Sequence, residues 1–185
     1  MPYLRSLRPG ASLIDVFKAF PETSKPLIEF HEVLLRGSSP FSSAERELIA
    51  AFVSGLNRCD YCHGVHTATA ERMGVEAGLL PRIVHDGILN DVAPRLRPVL
   101  ALARKLTLSP DSMTKAEADA VLAAGWDDTA LYHVVAVTAL FNFMNRLVAG
   151  LGIELEASYV GPASQRLAER GYLPLLEMMK SVPRT

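Results

Sequence analysis

The chain lacks most of what would mark a specialised scaffold. Two cysteines in 185 residues cannot staple a secreted disulfide framework. Neither sign of charge prevails: 19 Lys+Arg stand against 20 Asp+Glu, a net of −1. A general nucleic-acid binder needs a basic surplus to neutralise phosphates, and none is present. The longest apolar runs, around Leu48–Val53 and Val134–Phe141, fall short of the ~18 residues of a membrane span. Residues 1–20 hold no apolar block of signal-peptide length, which points to a cytoplasmic chain whose cysteines rest reduced. Strand-type alternation is missing, and no linker rich in Gly, Ser or charge divides the chain. With 49% apolar residues it is not a disordered segment either. A single domain over residues 1–185 is expected.

What is present is helical periodicity. Ser12 caps a first helix, Leu13–Phe20, that Pro21 ends. Pro26 opens a second, with Leu27, Phe30, Val33 and Leu34 as its apolar stripe and Gly37 as its stop. Ser42 and Glu45 have capping-box spacing for a helix running to about Leu56, where Gly55-Leu56-Asn57 reads as a break. Another carries Cys59 to Met73 and stops at Gly74. Further helices are predicted over Leu79–Leu89, Pro94–Leu106, Ala116–Ala124, Thr129–Gly150 and Ala163–Arg170, followed by a tail around Pro174 and Pro183. The fold class is all-α.

Both cysteines fall in one short stretch, residues 59–66, within a motif core at 42–74. On a helix Cys59 and Cys62 are i,i+3 neighbours and Cys62 and His66 are i,i+4 neighbours, so all three share one face. An imidazole can then reach the second thiol. Cys59 falls at the helix N-terminus, where exposed amides stabilise a thiolate. Dipole logic therefore favours Cys59 as the more acidic thiol, whereas the His66 spacing favours Cys62 as the attacking one. On one straight helix Glu47 would stand ~22 Å from Cys62. If the chain turns at 55–57, Glu47 can face His66 and orient its ring, completing a thiol–imidazole–carboxylate relay.

Three chemistries compete for this stretch. A catalytic dithiol would cycle between reduced and disulfide forms while reducing a peroxide. The run Cys59-Asp60-Tyr61-Cys62-His63 also matches the C-x-x-C-H pattern of c-type haem attachment, with His63 as axial ligand. Such attachment occurs in exported proteins, which this chain does not resemble. A zinc site with Cys59, Cys62, His66 and His63 would need a second ligand pair well separated in sequence, and the cysteines are already used. The expectation is no cofactor and no metal.

The spacing Glu47, eleven residues, Cys59-x-x-Cys62, three residues, His66 resembles the carboxymuconolactone decarboxylase/alkylhydroperoxidase D (AhpD-like) superfamily at every position and gap. The turn at Leu35–Pro40 before Ala44–Ile49, and Phe141–Arg146 before Leu151-Gly152, are similar to its peroxidase-related branch. The resemblance implies an AhpD-like helical bundle, usually a homo-oligomer, acting as a cofactor-free antioxidant peroxidase. Cys62 would attack the peroxide and become a sulfenic acid, Cys59 would resolve it as a disulfide, and Glu47 with His66 would relay protons. A lipoyl- or thioredoxin-type dithiol protein would reduce the pair. The alternative is a redox-sensing or disulfide-relay oligomer without turnover. Two departures stand out. Well-known members place a His between the cysteines, where this chain has Asp60-Tyr61, and here an extra His63 follows. The decarboxylase branch lacks the pair, so lactone decarboxylation is not expected.

Elsewhere, His133, Asn142 and Asn145 on the long apolar helix are expected to satisfy structural partners. Arg146 is a candidate partner for Glu47 or Glu154. His31 and His85 are expected at the surface, and Trp126 and the methionines in the core.

Overall fold

The computed structural model describes residues 2–87 and 89–180. Within them lie ten α-helices, two short 3-10 turns and no strand. The helices are α1 (Leu13–Ala19), α2 (Pro21–Arg36), α3 (Ser43–Leu56), α4 (Asp60–Arg72), α5 (Leu79–His85), α6 (Arg97–Leu108), α7 (Lys115–Ala123), α8 (Asp128–Gly150), α9 (Ala157–Arg170) and α10 (Pro174–Lys180).

The centre is α3. Ser42 accepts from the Glu45 amide while the Glu45 carboxylate accepts from Ser42 N–H at 2.7 Å, so the capping box starts the helix. From Leu48 to Val53 every residue is buried, as in a helix surrounded on all sides. It packs against α2, α4, α5, α6 and α8. Full burial of a side chain such as Phe52 contributes roughly 1.5–3 kcal/mol.

Asn57 ends α3, and Arg58 takes a left-handed conformation (φ 54°) that turns the chain back on itself. Cys59 N–H closes the turn on Ser54 O at 2.9 Å. Consequently α4 runs antiparallel along α3: Glu47 meets His66, and Ala51 meets His63. Gly55 does not break the helix. It permits close approach, since a Cβ there would lie 2.7 Å from Val84.

Several sequence expectations shift. Pro21 opens α2 as well as following α1, and Pro26 lies inside α2. Likewise α9 begins six residues before Ala163 and contains Pro162. Both prolines are exposed, so the carbonyl each leaves without an amide partner can face water. The stripe expected on α2 is also rotated. Phe30 and Val33 face solvent, while Ser24, Ile28, His31, Leu34 and Leu35 are buried. His31 is therefore a core residue, and His85 is exposed as expected. The helix expected over Leu79–Leu89 stops at His85. The tail around Pro174 is helical as α10, and Pro183 lies outside the described residues.

By length and composition α8 could cross a membrane, an exception to the apolar-run expectation: 23 residues, mean hydropathy 1.3 over its best window, 44% of it buried. Its buried face, with Val134, Val137, Phe141 and Met144, packs on α3 and α6 as a core helix does.

Candidate active site

Glu47 is completely buried and is the electrostatic hub of the site. Oε2 accepts from His66 Nδ1–H at 2.6 Å. Oε1 accepts from Arg36 Nη2 at 2.6 Å and from the Tyr172 hydroxyl at 2.9 Å. Burial alone would push this carboxyl up, but His66 and then Arg36 outweigh it and bring it down to about 2. Glu47 is thus a carboxylate with both oxygens engaged. Burial beside it pushes the Tyr172 phenol well up, which keeps it a donor.

No sequence motif marks Arg36 or Tyr172 as a site residue. Arg36, at the end of α2, also donates to Leu35 O and Leu167 O. Tyr172 is held by Glu32, whose Oε2 accepts its amide at 2.6 Å. The preceding Gly171 makes this possible: its φ is +67°, and a Cβ would fall 2.6 Å from that same oxygen. Arg146, a candidate partner for Glu47 or Glu154, is not among the groups around Glu47 and donates to Asn142 O and Oδ1 from the exposed side of α8.

Cys59 caps the start of α4 and Cys62 lies in its first turn. Both are buried free thiols, not bonded to each other. The neighbouring Cys62 thiol acts as a hydrogen-bond donor to Cys59. Together with the Cys62 amide and Asn145, and against burial, it brings Cys59 down to about 7. Donation to Cys59 and burial push Cys62 up. Of the two thiols, Cys59 is the more acidic.

Asn145 is more than a satisfied core amide, since its side chain acts to lower the pKa of both thiols. It is held in place by Asn57, which donates to its Oδ1 at 2.9 Å, and by Ser54, which accepts at 3.0 Å. Replacing Asn145 with alanine is expected to raise the Cys59 thiol. Alkylation by iodoacetamide at pH 7 should then slow by several-fold to about tenfold, read from a pH–rate profile.

His66 and Cys62 line one cavity of about 60 Å³, walled mostly by apolar side chains. At about 15 Å³ per water, it holds roughly four water-sized groups. Cys59 is not on its wall. Tyr61 is, with its ring beside that of Tyr159. His31 lines the same cavity. His63 points away: its Nδ1 donates to Ala51 O at 2.9 Å and ties α4 to α3. No group of three His, Cys, Asp or Glu side chains among the described residues could hold a metal ion.

The carboxymuconolactone decarboxylase family matches residues 21–80, the segment from the start of α2 into α5 that carries Glu47, Cys59, Cys62 and His66. The fold is similar to the crystal structure of a peroxidase-related protein from Silicibacter sp. TM1040, with 26% identity and a TM-score of 0.75 over 80% of this chain and 78% of that one. The family match over residues 21–80 and the shared fold together support the carboxymuconolactone decarboxylase/AhpD-like superfamily, peroxidase-related branch.

Other AhpD-like structures share the fold. A peroxidase-related protein from Ralstonia eutropha JMP134, described as an alkylhydroperoxidase AhpD core, has 22% identity and a TM-score of 0.73 over 78% of this chain and 76% of that one. Among curated sequences, the protein YdfG of Bacillus subtilis (strain 168) is 22% identical over 139 residues, covering 75% of this chain and 93% of its own length. Between its cysteines this chain carries Asp60-Tyr61, and the tyrosine lines the cavity.

Proposed function

We propose that this chain is a thiol-dependent peroxidase that reduces hydrogen peroxide or organic hydroperoxides through Cys59 and Cys62, with no resident cofactor or metal. The cavity carries this reading: Cys62 and His66 share its wall, and Glu47 stands behind His66. The name of the similar Silicibacter protein, peroxidase-related, supports the same class of chemistry.

The Cys59 thiolate takes the proton of Cys62, which places the nucleophile on the cavity wall. Cys62 sulfur attacks the hydroxyl oxygen of the peroxide. An S–O bond forms, the O–O bond breaks, and the departing alkoxide takes a proton through His66, whose ring Glu47 orients. The Cys59 thiol then attacks the Cys62 sulfenic acid, forming the disulfide and releasing water. A lipoyl- or thioredoxin-type dithiol restores both thiols, entering at Cys59, the cysteine off the cavity wall. A reducing cytoplasm is the setting this cycle requires. A homo-oligomer is part of the reading, with the exposed apolar positions Tyr132, Val135 and Phe143 on α8 as the face that would be covered.

Treatment with tert-butyl hydroperoxide is expected to consume two thiols per chain. Peroxide should then continue to disappear when dihydrolipoamide or a thioredoxin system is supplied. A chain whose thiols survive excess peroxide is no peroxidase. Thiol loss without turnover would favour a redox sensor or disulfide relay, a reading to which the burial of both sulfurs lends weight.

A further inference from the structure

The cavity contains a second imidazole that the relay does not use. His31 is buried on α2. Its Nδ1 lies 2.7 Å from Leu27 O, and because a carbonyl only accepts, Nδ1 carries the hydrogen. Nε2 is left as a lone-pair acceptor with no partner among the described residues. The ring lines the same cavity as Cys62 and His66. Phe141 stands edge-on to both imidazoles, with ring centroids 6.1 Å from His31 and 4.6 Å from His66. The Tyr172 ring, 5.3 Å away, flanks His31 on another side.

The two rings differ in what they can offer. His66 is backed by a carboxylate, as suits a group that delivers a proton. His31 is backed by a neutral carbonyl and sits near His66. Burial, with His66 adding to it, lowers its pKa to about 4, so it remains neutral above that pH. A hydroperoxide has two unlike oxygens: one bears a hydrogen and must be attacked, the other leaves and must gain one. An apolar cavity with one acceptor and one proton-delivering group discriminates between those ends.

We propose that His31 contacts substrate in this site: Nε2 accepts the O–H of a compact hydroperoxide and turns the hydroxyl oxygen toward Cys62. The proposal rests on the peroxidase reading and adds a residue and a size limit to it. Room for roughly four water-sized groups accommodates two oxygens and a short alkyl group.

Two variants separate positioning from packing. His31→Asn places its side-chain amide where Nδ1 was and retains the bond to Leu27 O, but it removes the cavity-facing acceptor. His31→Gln offers an oxygen near the position of Nε2. Stopped-flow oxidation of the thiols by tert-butyl hydroperoxide is expected to slow about 10- to 100-fold in His31→Asn. It should recover most of the loss in His31→Gln, with iodoacetamide alkylation unchanged in both. A long-chain fatty-acid hydroperoxide should react at least about tenfold more slowly than tert-butyl hydroperoxide with the unaltered protein. Equal peroxide rates in His31→Asn and the unaltered protein would overturn the proposal and leave the peroxidase reading standing. So would parallel losses of peroxide and iodoacetamide reactivity, or a His31→Gln variant as slow as His31→Asn. An unaltered protein inert to every peroxide would overturn both. If His31→Asn does not fold, His31→Gln and the chain-length comparison still decide: a slow His31→Gln, or equal rates with long and short hydroperoxides, overturns it.

Discussion

Replacing Cys62 with serine is expected to lower peroxide turnover by at least about 10³-fold, because a hydroxyl at neutral pH supplies almost no anionic nucleophile. The Cys59→Ser variant should behave differently. It retains the sulfur on the cavity wall, so it should react once with peroxide and stop as a sulfenic acid, seen by mass as one added oxygen and trapped by dimedone. This pair of variants also settles a conflict within the site. The lower thiol is Cys59, at about 7, whereas the thiol facing the cavity is Cys62. If acidity governs, Cys62→Ser should form sulfenic acid at Cys59. If access governs, as proposed, it should form none.

Substitution of Glu47 by glutamine should have the largest effect on stability. The amide preserves shape but removes the charge that Arg36, His66 and Tyr172 surround, leaving a largely buried guanidinium without its counter-ion. Breaking a buried pair in this way costs about 3–5 kcal/mol, measurable as a lower urea midpoint. Turnover should fall about 10²-fold as His66 loses its orienting partner.

The same variant should change the dependence of stability on pH. Glu47 ionises at about 2 when folded against an ordinary 4.5, so its contribution is complete above 4.5 and lost as pH falls through 2. His31 acts at higher pH. Its folded value is about 4 against an ordinary 6.5, so the unfolded chain takes the proton first and stability drains between 6.5 and 4. Each amounts to about 3 kcal/mol. The urea midpoint of the unaltered protein should therefore fall in two stages, and Glu47→Gln should abolish the lower one.

Legibility in the sequence tracks locality. The α3–α4 pair can be read because a capping box, an i,i+3,i+4 pattern and a plausible break lie within thirty-odd consecutive residues. The illegible part comes from afar. Arg36 lies 11 residues before Glu47 and Tyr172 lies 125 after it, with nothing local linking them to a carboxylate. His31 reads as a surface residue because the stripe through Phe30 and Val33 is as apolar as the true one. Only tertiary packing chooses between adjacent faces of α2. Asn145 reads correctly as part of a buried network, but that its network ends at the sulfurs depends on how α8 crosses α3 and α4.

The left-handed turn at Arg58 makes the connection between α3 and α4 as short as the chain allows, and so makes it a ruler. Each residue added within α3 would swing everything after it by about 100° around the helix axis. One insertion in the helix between Glu47 and Leu56 would carry His66 off the carboxylate and Cys62 off the cavity together. The interval, more than the eleven side chains that fill it, is the quantity this site measures out.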